Sequence, residues 1–105
     1  MKRLPVYAGL ALLTFSLAAL AAETTVKVSH NSLDPSMVSI AAGDTVTFQN
    51  TVEMPGGHTI VADDDSFKSP ALAKGQSWSH TFSKAGTYAF HVKEHPDNKG
   101  KIVVK

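Results

Sequence analysis

The chain has 105 residues, no cysteine, and ten basic against nine acidic residues. A chain of this length forms one domain with a modest core, and the absence of cysteine excludes both disulfides and a lipid-bearing cysteine. The nearly balanced charge gives little support to nucleic-acid binding, which needs a basic surplus to contact phosphates.

The first 21 residues have the pattern of a secretory signal peptide. Lys2 and Arg3 precede an apolar run over residues 4–20, which closes on small residues just before Ala22. The run is short for a membrane span, which needs about 20 apolar residues. We therefore expect residues 1–21 to be removed and residues 22–105 to form a periplasmic or secreted domain that is not attached to a membrane. Without Lys2 and Arg3, eight basic residues face nine acidic ones.

The rest of the chain is a series of short stretches in which apolar and polar residues alternate. In chain order they are TVKVSH, MVSIAAG, DTVTFQN, HTIVAD, SWSHTF, TYAFHV and GKIVVK, with turn-forming residues between them. Alternation of this kind buries one face of a strand. We predict an all-β domain, an antiparallel sandwich or barrel of about seven or eight strands. Residues 63–74, the longest irregular stretch, are predicted to cross between the sheets.

The order of these motifs resembles the cupredoxin family, and within it the small plastocyanin and amicyanin group. Three stretches carry the resemblance: LDPSMVSIAAGDTVTFQN, HTIVADDDSFKSPALAKGQSWSHTF and AGTYAFHVKEHPDNKGKIVV. Together they cover nearly all of residues 22–105. The resemblance implies a Greek-key β-sandwich that binds copper near one end, through a histidine of the middle stretch and a cysteine, a histidine and a methionine of the last loop.

Two of those four ligands carry over to this chain. The resemblance places the histidine ligands at His58, which follows MPGG, and at His95, which precedes Pro96. The cysteine position is held by Val92, whose side chain has no lone pair, and the methionine position by Asn98. A blue-copper site needs a thiolate beside its two imidazoles, whereas its weak axial contact can be an amide oxygen. We therefore predict that the protein is not a conventional blue electron carrier.

The remaining donors predict a different kind of copper site. Two histidines with oxygen or water ligands suit tetragonal Cu(II), and zinc accepts the same ligands. We predict a non-blue, type 2-like Cu(II) site on His58 and His95, which serves periplasmic copper binding, delivery or tolerance and is not an enzyme centre. The candidates for additional ligands are His91, Glu94, Asp97 and Asn98. The expected partners are the copper ion and a periplasmic redox or copper-handling protein.

The other histidines are predicted to have structural roles. His80 shares a strand face with two aromatic residues, which predicts a partly buried core position, and His30 begins a turn after the first strand. His91 lies on a strand and not on a helix, so its spacing of four residues from His95 does not form a helical metal pair. His91 would join the site only if the chain bends sharply after it.

Two other functions stay open at this point. By family analogy the protein would transfer electrons by docking to a redox partner, an interpretation that Val92 argues against. Alternatively, the site is vestigial and the sandwich is a metal-free interaction module. A weakly basic patch for an acidic partner would then be formed by the lysines of the last segment, Lys93, Lys99, Lys101 and Lys105.

Overall fold

A computed structural model describes residues 21–105, and the predicted signal peptide lies outside this range apart from its last residue. This part of the chain forms eight strands: β1 (Glu23–Val28), β2 (Leu33–Asp34), β3 (Met37–Ile40), β4 (Asp44–Asn50), β5 (Ile60–Ala62), β6 (Ser77–Phe82), β7 (Gly86–Val92) and β8 (His95–Val104). They make two four-stranded sheets, in the orders β2-β1-β4-β6 and β3-β8-β7-β5. The predicted all-β sandwich is confirmed. Within residues 21–105, no helix has the length and apolar character needed to cross a bilayer.

The two sheets are mixed, whereas the sequence predicted antiparallel ones. β1 runs parallel to β4 and β3 runs parallel to β8, while the other pairings are antiparallel. Alternation in the sequence tells which face of a strand is buried but does not tell the direction of its neighbour. The parallel pairing of β1 with β4 places Val28 opposite Asn50. The last residues of these two strands therefore lie at the same end of the sandwich.

The core lies between the sheets and is built from inward-facing aliphatic and aromatic residues. Phe90 and Val92 face inward from β7, as the alternation in TYAFHV predicts. Complete burial of a side chain of this size stabilises the fold by about 1.5–3 kcal/mol. The completely buried apolar residues are Val26, Val28, Val46, Phe48, Ile60, Phe90, Val92 and Ile102.

His80 belongs to an aromatic cluster at the edge of the first sheet. Its ring stacks on Phe67 and Trp78, with centroid separations of 5.1 and 5.6 Å, and meets Phe82 edge-on at 4.7 Å. The side chain is partly buried, as predicted. Burial lowers the pKa of His80 below 6.5, because the charged imidazolium loses its hydration.

The segment between β5 and β6 is irregular, as the sequence predicts, but it is tied to the chain before it. Lys68 bridges to Val61, and Leu72 bridges to His58. The backbone amides of His58 and Leu72 each donate to the carbonyl oxygen of the other residue, at 3.0 and 2.8 Å. This exchange fixes the backbone of His58 just ahead of β5.

Candidate metal centre

Three imidazoles meet at one end of the sandwich. His30 lies in the turn after β1, His58 just before β5, and His95 at the start of β8. Their ring centroids are 5.2 to 5.4 Å apart, and one ring nitrogen from each lies within 4.8 Å of the other two. The two histidines predicted as ligands are thus neighbours. His30, predicted as a turn residue, does lie in a turn, but its ring completes the cluster.

The position of His58 depends on the glycines that precede it. Gly57 has a φ of 81°, and a Cβ atom there would lie 2.9 Å from the carbonyl oxygen of Leu72. Only glycine combines this left-handed conformation with such a close approach. Gly57 in MPGGH therefore lets the loop approach Leu72 and sets His58 at the end of the sandwich.

A buried asparagine orients the ring of His58. Asn50, the last residue of β4, is completely buried, and its Oδ1 lies 2.9 Å from Nδ1 of His58. The amide orientation is set by Nδ2, which donates to the carbonyl oxygen of Leu72 at 2.8 Å. Since Oδ1 can only accept, Nδ1 of His58 carries the proton, and Nε2 of the neutral ring keeps a free lone pair. Such outer partners commonly orient metal-ligating histidines.

Two ring nitrogens in this cluster are buried without a hydrogen-bond partner. They are Nε2 of His58 and Nε2 of His95, and within residues 21–105 no other buried side-chain nitrogen or oxygen is left unpaired. Buried polar atoms are normally hydrogen-bonded, and leaving one unpaired costs about 1–3 kcal/mol. Both atoms belong to residues of the converging group. A metal ion bound between the rings would satisfy them.

The surroundings of His58 also favour its neutral imidazole, which is the form that binds a metal. Burial lowers the pKa of His58 below 6.5, and repulsion from the neighbouring rings of His95 and His30 lowers it further, against a smaller opposite effect of Glu94. A proton on His58 would compete with a metal for the same lone pair. At neutral pH the ring is therefore ready to coordinate.

The β7–β8 hairpin presents His95. Val92 pairs with His95 across a turn formed by Lys93 and Glu94, but the next pair is His91 with Lys99. Three residues of β8, numbers 96–98, therefore bulge out of the ladder. The ladder is irregular between His91 and Val92, but His91 does not join the cluster: its Nδ1 lies 2.7 Å from a carboxylate oxygen of Asp63.

Glu94 anchors the hairpin turn beside His58. Its carboxylate accepts hydrogen bonds from the backbone amide of Thr59 at 2.7 Å and from the hydroxyl of Thr59 at 2.9 Å. Burial would raise the pKa of Glu94, but these two hydrogen bonds and the nearby His58 outweigh it and hold the pKa below 4.5. The carboxylate is therefore ionised and committed to Thr59.

The remaining residues proposed from the sequence lie around the cluster. The amide nitrogen of Asn98 donates to the carbonyl oxygens of Ser29 and Ser32, in the turn that carries His30. Asp97 is exposed in the bulge. His91, Glu94 and Asp97 are not members of the converging group, and a ligand role for these three and for Asn98 stays a prediction. Val92 fills the family's cysteine position and is completely buried.

Sequence reasoning missed two residues of this site, His30 and Asn50. Asn50 has a signal: in DTVTFQN it continues the inward series of Val46 and Phe48, and an asparagine at an inward position needs a buried polar partner. His30 has no such local signal. Its place in the cluster follows from the parallel pairing of β1 with β4, which the alternation does not reveal.

The sequence signature of the cupredoxin-like domain matches residues 4–104. The chain belongs to the cupredoxin family. It is similar to amicyanin from Paracoccus denitrificans, with 41% identity over 69 residues that cover 63% of this chain and 53% of that protein. It is also similar to plastocyanin from Scenedesmus fuscus, with 36% identity over 100 residues that cover 79% of this chain and all of that protein. This cupredoxin thus spans about half the length of the amicyanin and the full length of the plastocyanin.

Solved structures show the same fold. A purple cupredoxin from Nitrosopumilus maritimus superposes with a TM-score of 0.72 at 24% identity, over 78% of this chain and 99% of that one. Cupredoxins are a copper-binding family, and the donors present in this member fit a metal, because three imidazoles converge and two of them have a buried nitrogen without a partner. His30, His58 and His95 would hold the ion. Bound copper would supply one-electron redox and Lewis-acid chemistry.

Proposed function

We propose that this cupredoxin is an exported copper-binding protein with a non-blue, type 2-like Cu(II) centre, which serves copper binding, delivery or tolerance in the periplasm. The observation that supports it best is that His58 and His95, each with an Nε2 atom buried without a partner, belong to the group of three histidines whose rings converge. His30 is the third imidazole, an addition to the two ligands expected from the sequence. Imidazoles with oxygen or water ligands suit Cu(II) in tetragonal geometry.

The absence of a thiolate supports a non-blue centre. The chain has no cysteine, and Val92, which holds the family's cysteine position, is buried where β7 pairs with both Ile60 and His95. Without a copper–thiolate bond there is no source for intense visible absorption, and copper loses the soft ligand that favours Cu(I). The loaded protein should be weakly coloured, with an axial paramagnetic resonance spectrum.

The test is a Cu(II) titration of the metal-free chain from Ala22 onward, which contains both sheets. Binding is followed by visible absorption and electron paramagnetic resonance in the parent and in His30→Gln, His58→Gln and His95→Gln. We expect one axial Cu(II) signal that weakens or disappears in each variant. Matched controls are His80→Gln and His91→Gln, since both histidines lie outside the cluster. Equal copper affinity in the three site variants and the parent would refute the ligand assignment.

Zinc is the competing metal, because it accepts imidazole ligands as readily. Affinity of a given nitrogen site generally peaks at copper among the divalent first-row ions. A competition titration should therefore displace Zn(II) with Cu(II) at equal concentrations. Retention of zinc under these conditions would assign the site to zinc and would leave the three histidines as its ligands.

Electron transfer is the second candidate function, and the similarity to amicyanin and plastocyanin, which are electron carriers, favours it. It requires a copper site that is stable in both oxidation states and exchanges electrons rapidly. Voltammetry of the copper-loaded protein separates the two functions. A reversible one-electron couple with fast self-exchange would support electron transfer, and copper loss on reduction would support binding or delivery.

A further inference from the structure

A cleft of about 390 Å³ lies beside the imidazole cluster. Its walls are the His30–Asn31 turn on one side and residues 94–98 on the other. His30 and His95 are both among the residues that line it. A water molecule takes about 30 Å³ of liquid volume, so a cleft of this size holds several waters beside the rings. We call it the acidic cleft.

The acidic cleft carries negative charge. Glu94 and Asp97 are both in its wall, and no lysine or arginine lines it. The uncharged residues Asn31 and Asn98 also line the cleft. Carboxylates in a confined space attract cations and disfavour anions. A ligand that enters this cleft as a neutral molecule avoids that repulsion.

Three imidazoles leave a bound Cu(II) or Zn(II) short of its usual number of ligands. Sites with four protein ligands are closed, whereas sites with three keep a position for water or another small ligand. Glu94, the residue before His95, is already engaged elsewhere. Glu94 is hydrogen-bonded through both oxygens to Thr59, and the amide nitrogen of Asn98 is bonded to the His30 turn.

We propose that the acidic cleft is the binding site for an exchangeable neutral ligand of the metal: water, or a nitrogen donor the size of imidazole. Glu94 and Asp97 offset part of the attraction that the positive metal ion has for small anions, so an anion binds there more weakly than it would without these two carboxylates. This inference rests on the proposed copper centre and adds to it. A histidine side chain of a copper-handling partner has the chemistry of such a ligand, and it would reach the ion before the three histidines release it.

The experiment uses the Cu(II)-loaded chain from Ala22 onward, with copper content measured after gel filtration. Relaxation of solvent protons reports exchangeable water on the ion, and paramagnetic resonance follows titrations with imidazole and with azide. We expect enhanced solvent relaxation that imidazole suppresses, with copper retained, and weaker binding of azide. Asp97→Asn should strengthen azide binding about threefold, as loss of one unit charge a few ångströms away in water does. The matched control is Asp65→Asn, an equal charge change outside the cleft wall.

Three results would overturn the proposal in distinguishable ways. Full copper content with unchanged solvent relaxation, and a spectrum that imidazole does not alter, would mean a closed site, and the copper centre itself would stand. Azide that binds as tightly as imidazole, with equal affinity in Asp97→Asn, would refute the role of the carboxylates. Failure to retain copper in the parent would remove the copper centre and this inference with it.

Discussion

Asn98 holds the turn that carries His30, although the two residues are 68 positions apart in the sequence. The amide nitrogen of Asn98 donates to the carbonyl oxygens of Ser29 at 3.0 Å and Ser32 at 3.2 Å, on either side of His30. Asn98 is itself buried, in the bulge of β8 that follows His95. One side chain therefore ties the segment of the third imidazole to the segment of the second.

Replacement of Asn98 by alanine should loosen the His30 turn and weaken copper binding by about 10- to 100-fold, the usual effect of losing an outer partner of a metal ligand. The measurement is Cu(II) affinity by chelator competition. Repeating Asn98→Ala in the His30→Gln background distinguishes an effect through His30 from a general structural effect. If Asn98 acts through His30, little further loss of copper affinity is expected there. An equal loss in both backgrounds would show that Asn98 does not act through His30.

Asn50 should matter both for folding and for the metal. Asn50→Ala leaves Nδ1 of His58 without its buried partner, which costs about 1–3 kcal/mol of unfolding free energy, whereas the carbonyl of Leu72 keeps the hydrogen bond from the backbone amide of His58. Copper affinity should fall as well, because the ring loses the contact that orients it. Urea unfolding and copper competition measure the two effects. The control is Gln49→Ala, at the outward-facing neighbouring position of β4, which should leave copper affinity unchanged.

Val92→Cys should convert the spectroscopic type of the site. Val92 pairs with His95 and is completely buried, so a cysteine there places sulfur at the position that the family uses for its thiolate ligand. We expect an intense visible charge-transfer band on addition of Cu(II), which the parent lacks. Val104→Cys, a buried position at the opposite end of β8, is the control. A colourless Val92→Cys variant that binds copper would show that residue 92 does not face the metal.

Gly57 and Gly56 form a matched pair for testing the loop before His58. Their φ angles are 81° and 84°, but a Cβ atom at Gly57 meets the backbone of Leu72 whereas one at Gly56 meets nothing within 4 Å. Gly56→Ala should cost about 1–2 kcal/mol of unfolding free energy from the left-handed conformation alone. Gly57→Ala should cost more and should also lower copper affinity. Equal losses from the two substitutions would contradict the close approach to Leu72.

The metal-free protein should lose stability as the pH falls below about 6.5. Burial, then repulsion from His95 and His30, lowers the pKa of folded His58 from 6.5, and burial does the same for His80. The unfolded chain therefore takes up protons at a higher pH than the folded chain, so the free energy of unfolding falls with falling pH. Urea unfolding on both sides of pH 6.5 measures it, and replacing both histidines by glutamine should reduce the slope. A free energy that increases on acidification would contradict these shifts.

Much of the fold was accessible from periodicity because strand alternation reflects which side chains are buried. Phe90 and Val92 face inward as predicted, and His80 lies in an aromatic cluster. The parallel partners of β1 and β3 were not accessible, because neighbour direction depends on contacts between distant segments. For the same reason the prediction of antiparallel sheets was wrong.

The residues of the candidate metal centre, like the fold, were predictable from the sequence only in part. The motif order placed His58 and His95 at one site, and their rings do lie side by side at 5.2 Å. Asn98 is a candidate for an additional ligand, but its amide nitrogen bonds the His30 turn, so a ligand role for its oxygen stays a prediction. The inward position of Asn50 was visible in the strand pattern, but the atom that it contacts was not.

The sequence by itself determined the all-β architecture and the loss of the thiolate. Both follow from local properties, the alternation of apolar and polar residues and the identity of single residues, which can be read without a structure. Tertiary structure decided which imidazoles converge. His30 joins His58 and His95 because β1 runs parallel to β4 and because Asn98 binds the turn after β1. Tertiary structure also determined that Glu94 is held by Thr59 and that the acidic cleft lies beside the cluster. These contacts join segments that are tens of residues apart. They depend on how the whole chain packs and cannot be deduced from any single stretch of it.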